Sequence, residues 1–151
     1  SLLHDGCKAG NANGYGYLGV AHEDGLGGLP RDPELAARYY LVGCGGGGFL
    51  YGSRMACARL GAMVLEGRGV EQSDYWAGYL FEAACSVEDP DAARLSCLRG
   101  AALFERGGFP PGLFHEPYRE LPRSYPEVAL EMRRRGCEAG LAEACQSLEA
   151  E

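Results

Sequence analysis

Seven cysteines are the residues of this 151-residue chain best equipped for chemistry, as nucleophilic thiolates, metal ligands or paired sulfurs. Their spacing does not suit a metal centre. No Cys-x-x-Cys occurs, and His4, His22 and His115 lie far apart in sequence, so neither zinc-ligand spacing nor covalent haem attachment is present. Instead Cys7, Cys44, Cys85 and Cys137 each close an apolar, helix-like run, and Cys57, Cys97 and Cys145 follow the last three. The leading cysteines stand 37, 41 and 52 residues apart. Split at Tyr15, Cys57 or Cys97, these gaps become 8 and 29, 13 and 28, and 12 and 40. One 36-residue unit, copied with insertions of 1, 5 and 16 residues, accounts for all of them.

The elements that must position these cysteines align in the same register. Gly16 to Gly25, Ala58 to Gly67 and Leu98 to Gly107 each read as a helix stopped by glycine, which tolerates a left-handed terminus. Second helices are expected at Pro33 to Cys44, Asp74 to Cys85 and Pro126 to Cys137. Each has alanine three residues in (Ala36, Ala77, Ala129), beside Leu35, Trp76 and Val128, with Tyr39, Leu80 and Met132 one turn on. That is an apolar stripe of helical period. Gly19, Gly61 and Ala101 share one position on the first helices, where a small residue lets a neighbour approach. The unit is an antiparallel helix pair. Ser1 to Cys7 reads as the end of a second helix and Leu141 to Glu149 as a first helix. Each end thus exposes half a repeat unless further residues or another protein cap it.

Leu60-Gly61, Gly67-Arg68-Gly69-Val70, Asp74, Ala77, Phe81 and Ala84-Cys85 are the residues on which the chain resembles the Sel1-like repeat family, α-solenoids related to tetratricopeptide repeats. The middle unit matches well and the first closely, while an insertion interrupts the third. The resemblance implies an all-α solenoid domain over residues 1–151, with units at about 8–44, 45–85 and 86–137 and a terminal half-unit at 138–151. The cysteines resemble those of the family's cysteine-rich branch. That branch includes secreted bacterial proteins and a mitochondrial intermembrane-space factor for assembling cytochrome c oxidase.

A helix pair with cysteines at the end of one helix and the start of the next brings them together across the connecting loop. The expected bridges are Cys44 to Cys57, Cys85 to Cys97 and Cys137 to Cys145. The alternative is a set of reduced cysteines buried as small hydrophobes. Disulfides imply an oxidising compartment: the mitochondrial intermembrane space, or alternatively the secretory space or periplasm. Cys7 is left unpaired because its partner position holds Tyr15. With His4 three residues before it, Cys7 offers a thiol-redox alternative.

Other chemistry finds little footing. Gly43 to Gly48 satisfies G-x-G-x-x-G formally, but after a helix rather than the strand a dinucleotide site requires. Some secreted relatives are linked to β-lactams, yet the serine-x-x-lysine pair of an acylating enzyme is missing; Lys8 is the sole lysine. No cofactor or metal site is expected. A net charge of -7 without a basic stripe argues against nucleic acid. Arg133-Arg134-Arg135 is read as a helix-terminal surface run, and Glu23-Asp24 and Glu88-Asp89 as solvated caps. No presequence and no apolar run of the roughly 20 residues that span a bilayer is visible.

The third unit carries most of its insertion between Gly107 and Pro126, with five of the chain's eight prolines beside Phe109, Phe114, Tyr118 and Tyr125. Stiff backbone and aromatic area suit a recognition surface, and the bland alternative is a loop packed back on the helices. The sequence therefore points to a non-enzymatic protein-binding scaffold. Its resemblance implies an accessory subunit or assembly factor of a respiratory complex, with a secreted or periplasmic binding protein as the alternative.

Overall fold

The computed structural model describes residues 12–46, 53–110, 114 and 123–149. Within them lie helices α1 (Ala12–Asp24), α2 (Pro33–Leu41), α3 (Arg54–Glu66), α4 (Asp74–Ala84), α5 (Pro90–Arg106), α6 (Tyr125–Glu138) and α7 (Ala142–Glu149). Short side chains set where five of them begin. Asp32, Ser53, Ser73, Asp89 and Ser124 each accept a bond from the backbone N–H three residues on, at 3.1 to 3.3 Å. That satisfies a donor the helix cannot use itself. Ser124 and Glu127 complete a reciprocal capping box. The expected glycine stops follow α1, α3 and α5 at Gly25, Gly67 and Gly107, all with positive φ.

The helices pair as α1 with α2, α3 with α4 and α5 with α6, and α7 packs on α6. First helices also touch across units, α1 on α3 and α3 on α5, whereas the backbones of the second helices α2, α4 and α6 lie farther from one another. The first helices thus line the inner side of an α-solenoid, and each pair buries its apolar stripe against its neighbours. Tyr40, Leu60, Met63, Phe81, Val128 and Met132 are fully buried along this continuous core.

Three disulfides staple the helix ends. Cys44–Cys57, Cys85–Cys97 and Cys137–Cys145 have Cα atoms 4.7, 4.8 and 4.6 Å apart, within the usual span for a bridge. The first follows a widening of α2 into a π-helical turn, Val42–Gly46. Gly43, Gly45 and Gly46 of the G-x-G-x-x-G match belong to that turn rather than to a strand-to-helix junction.

Two sequence expectations need correction. Ala101 was expected as the small contact site of the third pair, but Gly100 fills that role. A Cβ on Gly100 would lie 2.3 Å from Met132 Cε and 2.9 Å from Phe81 Cβ. In the first two pairs the equivalent approaches are Gly19 to the Tyr40 ring and Gly61 to the Phe81 ring, at 2.4 and 2.8 Å. The third contact has slipped by one residue on both helices. The basic run is also not a surface feature throughout. Arg133 holds Glu105 of α5 through two 2.7 Å bonds. Arg135 reaches under α4, donating to the Cys85 carbonyl and to the Glu82 carboxylate, both at 2.6 Å. Glu82 also receives Arg123, which pairs with Glu131. Because α6 packs across α5 and the end of α4, this side of the run faces protein, and Arg134 alone of the three is exposed.

Candidate functional site

The inner face is built from one repeated register. Counted from Tyr15, Cys57 and Cys97, the second residue onward is Tyr17, Arg59 and Arg99. Tyr17 is 62% exposed, and the side chains of Arg59 and Arg99 are 37% and 40% exposed. Residues one turn apart share a helix face, and small residues flank this position: Gly16 and Val20 on α1, Ala58 and Ala62 on α3. The result is an open groove over α1, α3 and α5. One part, about 580 Å³, lies between Tyr17, Val20, Met55, Arg59 and the α5 start at Asp89 and Asp91. The other, about 220 Å³, lies between Arg59, Glu66, Arg68, Leu95 and Arg99. Arg59 borders both.

Charged partners order this surface. The Glu23 side chain is only 10% exposed; it accepts the Tyr40 hydroxyl at 2.7 Å and pairs with Arg68 at 2.9 Å. It is therefore a buried organiser rather than the solvated cap expected from sequence, because Tyr40 plugs the Gly19 gap directly beside it. Burial first, then the bond to Glu23 and its charge, push the Tyr40 phenol far above the usual tyrosine range. Arg68 also binds Glu66 at 2.6 Å, and Arg99 lies over the Phe81 ring at 5.2 Å. Of the other carboxylates, Asp89 caps α5 and Glu88 pairs with Arg54 at 3.2 Å.

The described aromatic residues of the proline-rich insertion pack against the helices. Phe114 is 1% exposed and is bridged to Arg123 by paired backbone hydrogen bonds. Its ring centroid lies 4.5 Å from that of Tyr79 and 5.3 Å from that of Phe104. Phe109 packs edge-on to Tyr75, Phe104 and Tyr125, and Tyr125 stacks on Phe104. These three candidate contact residues join the aromatic core of α4 and α5, with Phe109 and Tyr125 half-buried. Tyr118, Cys7, His4 and His115 lie outside the described residues. His22 is buried and stacked on Tyr39 at 5.5 Å. Among the described residues no three His, Cys, Asp or Glu side chains gather as a metal site, and no helix is long and apolar enough to cross a membrane.

Helix pairs that stack through their first helices and leave a groove along them define an α-solenoid, an architecture whose extended inner surfaces receive other molecules. The Sel1 repeat family profile matches residues 12–44 and 54–87. Over those two segments, less than half of the chain, the sequence is similar to the Sel1 repeat. The third helix pair lies outside the matched segments. Among solved structures, the chain is similar to a Sel1 repeat protein from Oxalobacter formigenes. The TM-score is 0.69 at 20% identity, over 99% of this chain and 96% of that one. It is also similar to a protective antigen of uropathogenic Escherichia coli with an SLR fold, with a TM-score of 0.68 at 21% identity over 94% of this chain. The match spans 26% of the antigen's length. At these identities the likeness is one of fold. No curated protein matches the sequence.

Proposed function

We propose that the protein is a non-enzymatic scaffold that binds another protein along its first-helix groove, in an oxidising compartment. The observation that carries this reading is the pair of hollows over the first helices, one beside Tyr17 and one beside Arg99, which share Arg59 as a border. Exposed Tyr17 gives it an aromatic contact whose burial on binding would supply affinity. Three disulfides within one short solenoid support a secreted or periplasmic setting, and the solved Sel1-repeat relatives named above are bacterial. The intermembrane-space respiratory role rests on the sequence resemblance alone. The repeat units are taken as 8–44, 45–85, 86–137 and a half-unit 138–151, with the insertion at 107–126 belonging to the third.

A photo-crosslinking amino acid in place of Tyr17, compared with one in place of Arg38 on the second-helix face, tests the scaffold in the producing cells. Discrete protein adducts from the Tyr17 position alone are expected. No adduct, or the same adducts from both faces, would remove the groove as the binding surface. Alkylation of free thiols at lysis tests the compartment in the same preparation: the three bridges should survive, and fully reduced cysteines would place the protein elsewhere.

A further inference from the structure

The inner part of the groove holds three guanidinium groups, Arg59, Arg68 and Arg99, against two carboxylates, Glu23 and Glu66. Those carboxylates are already engaged. Arg68 binds one oxygen of each, at 2.9 and 2.6 Å, and the Tyr40 hydroxyl holds the remaining oxygen of Glu23 at 2.7 Å. Arg59 and Arg99 are left with ion contacts of 3.9 Å to Glu23 and 3.8 Å to Glu66, both longer than a hydrogen bond. Arg59 Nε is enclosed and has no hydrogen-bond partner among the described residues. Nε is therefore out of an arriving ligand's reach, and what Arg59 offers the groove is its terminal N–H groups.

Position adds to charge. Arg59 and Arg99 occupy the same register of consecutive repeats, two residues after Cys57 and Cys97. Their helices are fixed by the Cys44–Cys57 and Cys85–Cys97 bridges, and Arg99 is steadied on the Phe81 ring. Ala58 and Ala62 keep the floor beside Arg59 low. Two pre-positioned guanidinium forks with unused donors suit a carboxylate, which accepts paired N–H bonds from arginine. At the other end Asp89 and Asp91 face the groove, so a ligand of uniform negative charge, such as a nucleic acid, meets repulsion along part of its length.

We infer that the groove recognises an acidic segment of a partner protein, with an aspartate or glutamate carboxylate seated between Arg59 and Arg99. This identifies the chemistry of the partner and rests on the scaffold reading above. The partner's apolar side chains lie toward Tyr17, Val20 and Met55.

The test uses the full, oxidised chain and short labelled peptides of one apolar-alanine framework carrying glutamate, glutamine or lysine, with binding read by fluorescence anisotropy. The glutamate peptide should bind about tenfold more tightly than the other two, a single favourable charge contact of ordinary size. The double variant Arg59→Ala/Arg99→Ala should lose that preference, Arg38→Ala should keep it, and Arg59→Lys/Arg99→Lys should keep part of it as charge without the fork. The lysine pair also serves if the alanine pair does not fold. Equal binding of the three peptides, or a preference that survives in Arg59→Ala/Arg99→Ala, would overturn the acidic assignment. So would a single-stranded oligonucleotide that binds as tightly as the glutamate peptide. Crosslinking from the Tyr17 position separates the two failures: adducts without acidic preference leave the scaffold standing, whereas neither result removes both.

Discussion

Gly100 of α5 lies under the Met132 side chain of α6 so closely that an added Cβ would stand 2.3 Å from Met132 Cε. The same atom would stand 2.9 Å from Phe81 Cβ of the preceding pair, so one glycine admits contacts from two repeats.

Gly100→Ala should therefore destabilise the protein. Alanine improves helix propensity by about 1 kcal/mol, but overpacking at a contact this short typically costs about 1–3 kcal/mol, and Phe81 Cβ moves only with its backbone. Gly16, with its nearest neighbours at 3.8 and 3.9 Å, gives the control: Gly16→Ala should be neutral or stabilising by up to about 1 kcal/mol. Denaturant melts with the disulfides intact read both. Gly100→Ala as stable as Gly16→Ala would show that the close approach does not constrain the interface.

This site also marks what the sequence reveals and what it hides. Helix order, the glycine stops after α1, α3 and α5, and the cysteine repeat depend on local chemistry and a fixed period, so they can be read along the chain. The slip from Ala101 to Gly100 depends on how α6 seats against α5 after the insertion, which only packing decides. The groove residues were legible in principle: Tyr17, Arg59 and Arg99 recur at one register from the cysteine landmarks, but which face that register occupies requires the first helices to be on the inside. Arg135 and Glu23 look like surface charges in sequence because their partners, Glu82 and Tyr40, are 53 and 17 residues away. Phe114 looked available for recognition because aromatic residues in a proline-rich loop suit either a partner or the protein's own core, and α4 and α5 supply the latter.

Replacing both Cys85 and Cys97 by alanine should cost about 3 kcal/mol, the loop-closure entropy for a 12-residue separation. The bridge sits in the middle of the stack, and both cysteines are fully buried. Adding reductant to the native chain should lower its melting temperature, while the double variant should lose the part of that response due to this bridge. An unchanged response would show that the bridge contributes little to stability.

Glu82 is the carboxylate on which Arg135 and Arg123 converge, with side-chain exposures of 8%, 18% and 14% respectively. Glu82→Gln keeps the shape and removes the charge, leaving two shielded guanidinium groups with one fewer counter-ion. Breaking a buried ionic cluster from one side costs roughly 3–5 kcal/mol. Arg94→Ala, which removes an exposed pair with Asp91, should change stability by under about 1 kcal/mol. Thermal melts of the two variants compare them directly, and similar losses would mean that the Glu82 cluster behaves as ordinary surface charge.

Tyr40 makes stability fall in alkali. Burial, followed by the hydrogen bond to Glu23 and its negative charge, raises the folded phenol's pKa above its unfolded value, which lies near 10. Above about pH 10 the unfolded chain loses this proton while the folded chain retains it. The folded state then binds more protons, and unfolding becomes easier as pH rises. The Tyr40 contribution is complete below the unfolded pKa and declines from there toward the folded one. Tyr40→Phe should cost about 1 kcal/mol at neutral pH through loss of the Glu23 bond, yet show a shallower loss of stability above about pH 10. Urea melts across that range, with any free thiol alkylated beforehand so that the bridges do not exchange, measure the slope. Identical slopes for the native chain and Tyr40→Phe would mean that Tyr40 ionises in the folded state as readily as in the unfolded one, and that its bond to Glu23 does not hold the inner face in register.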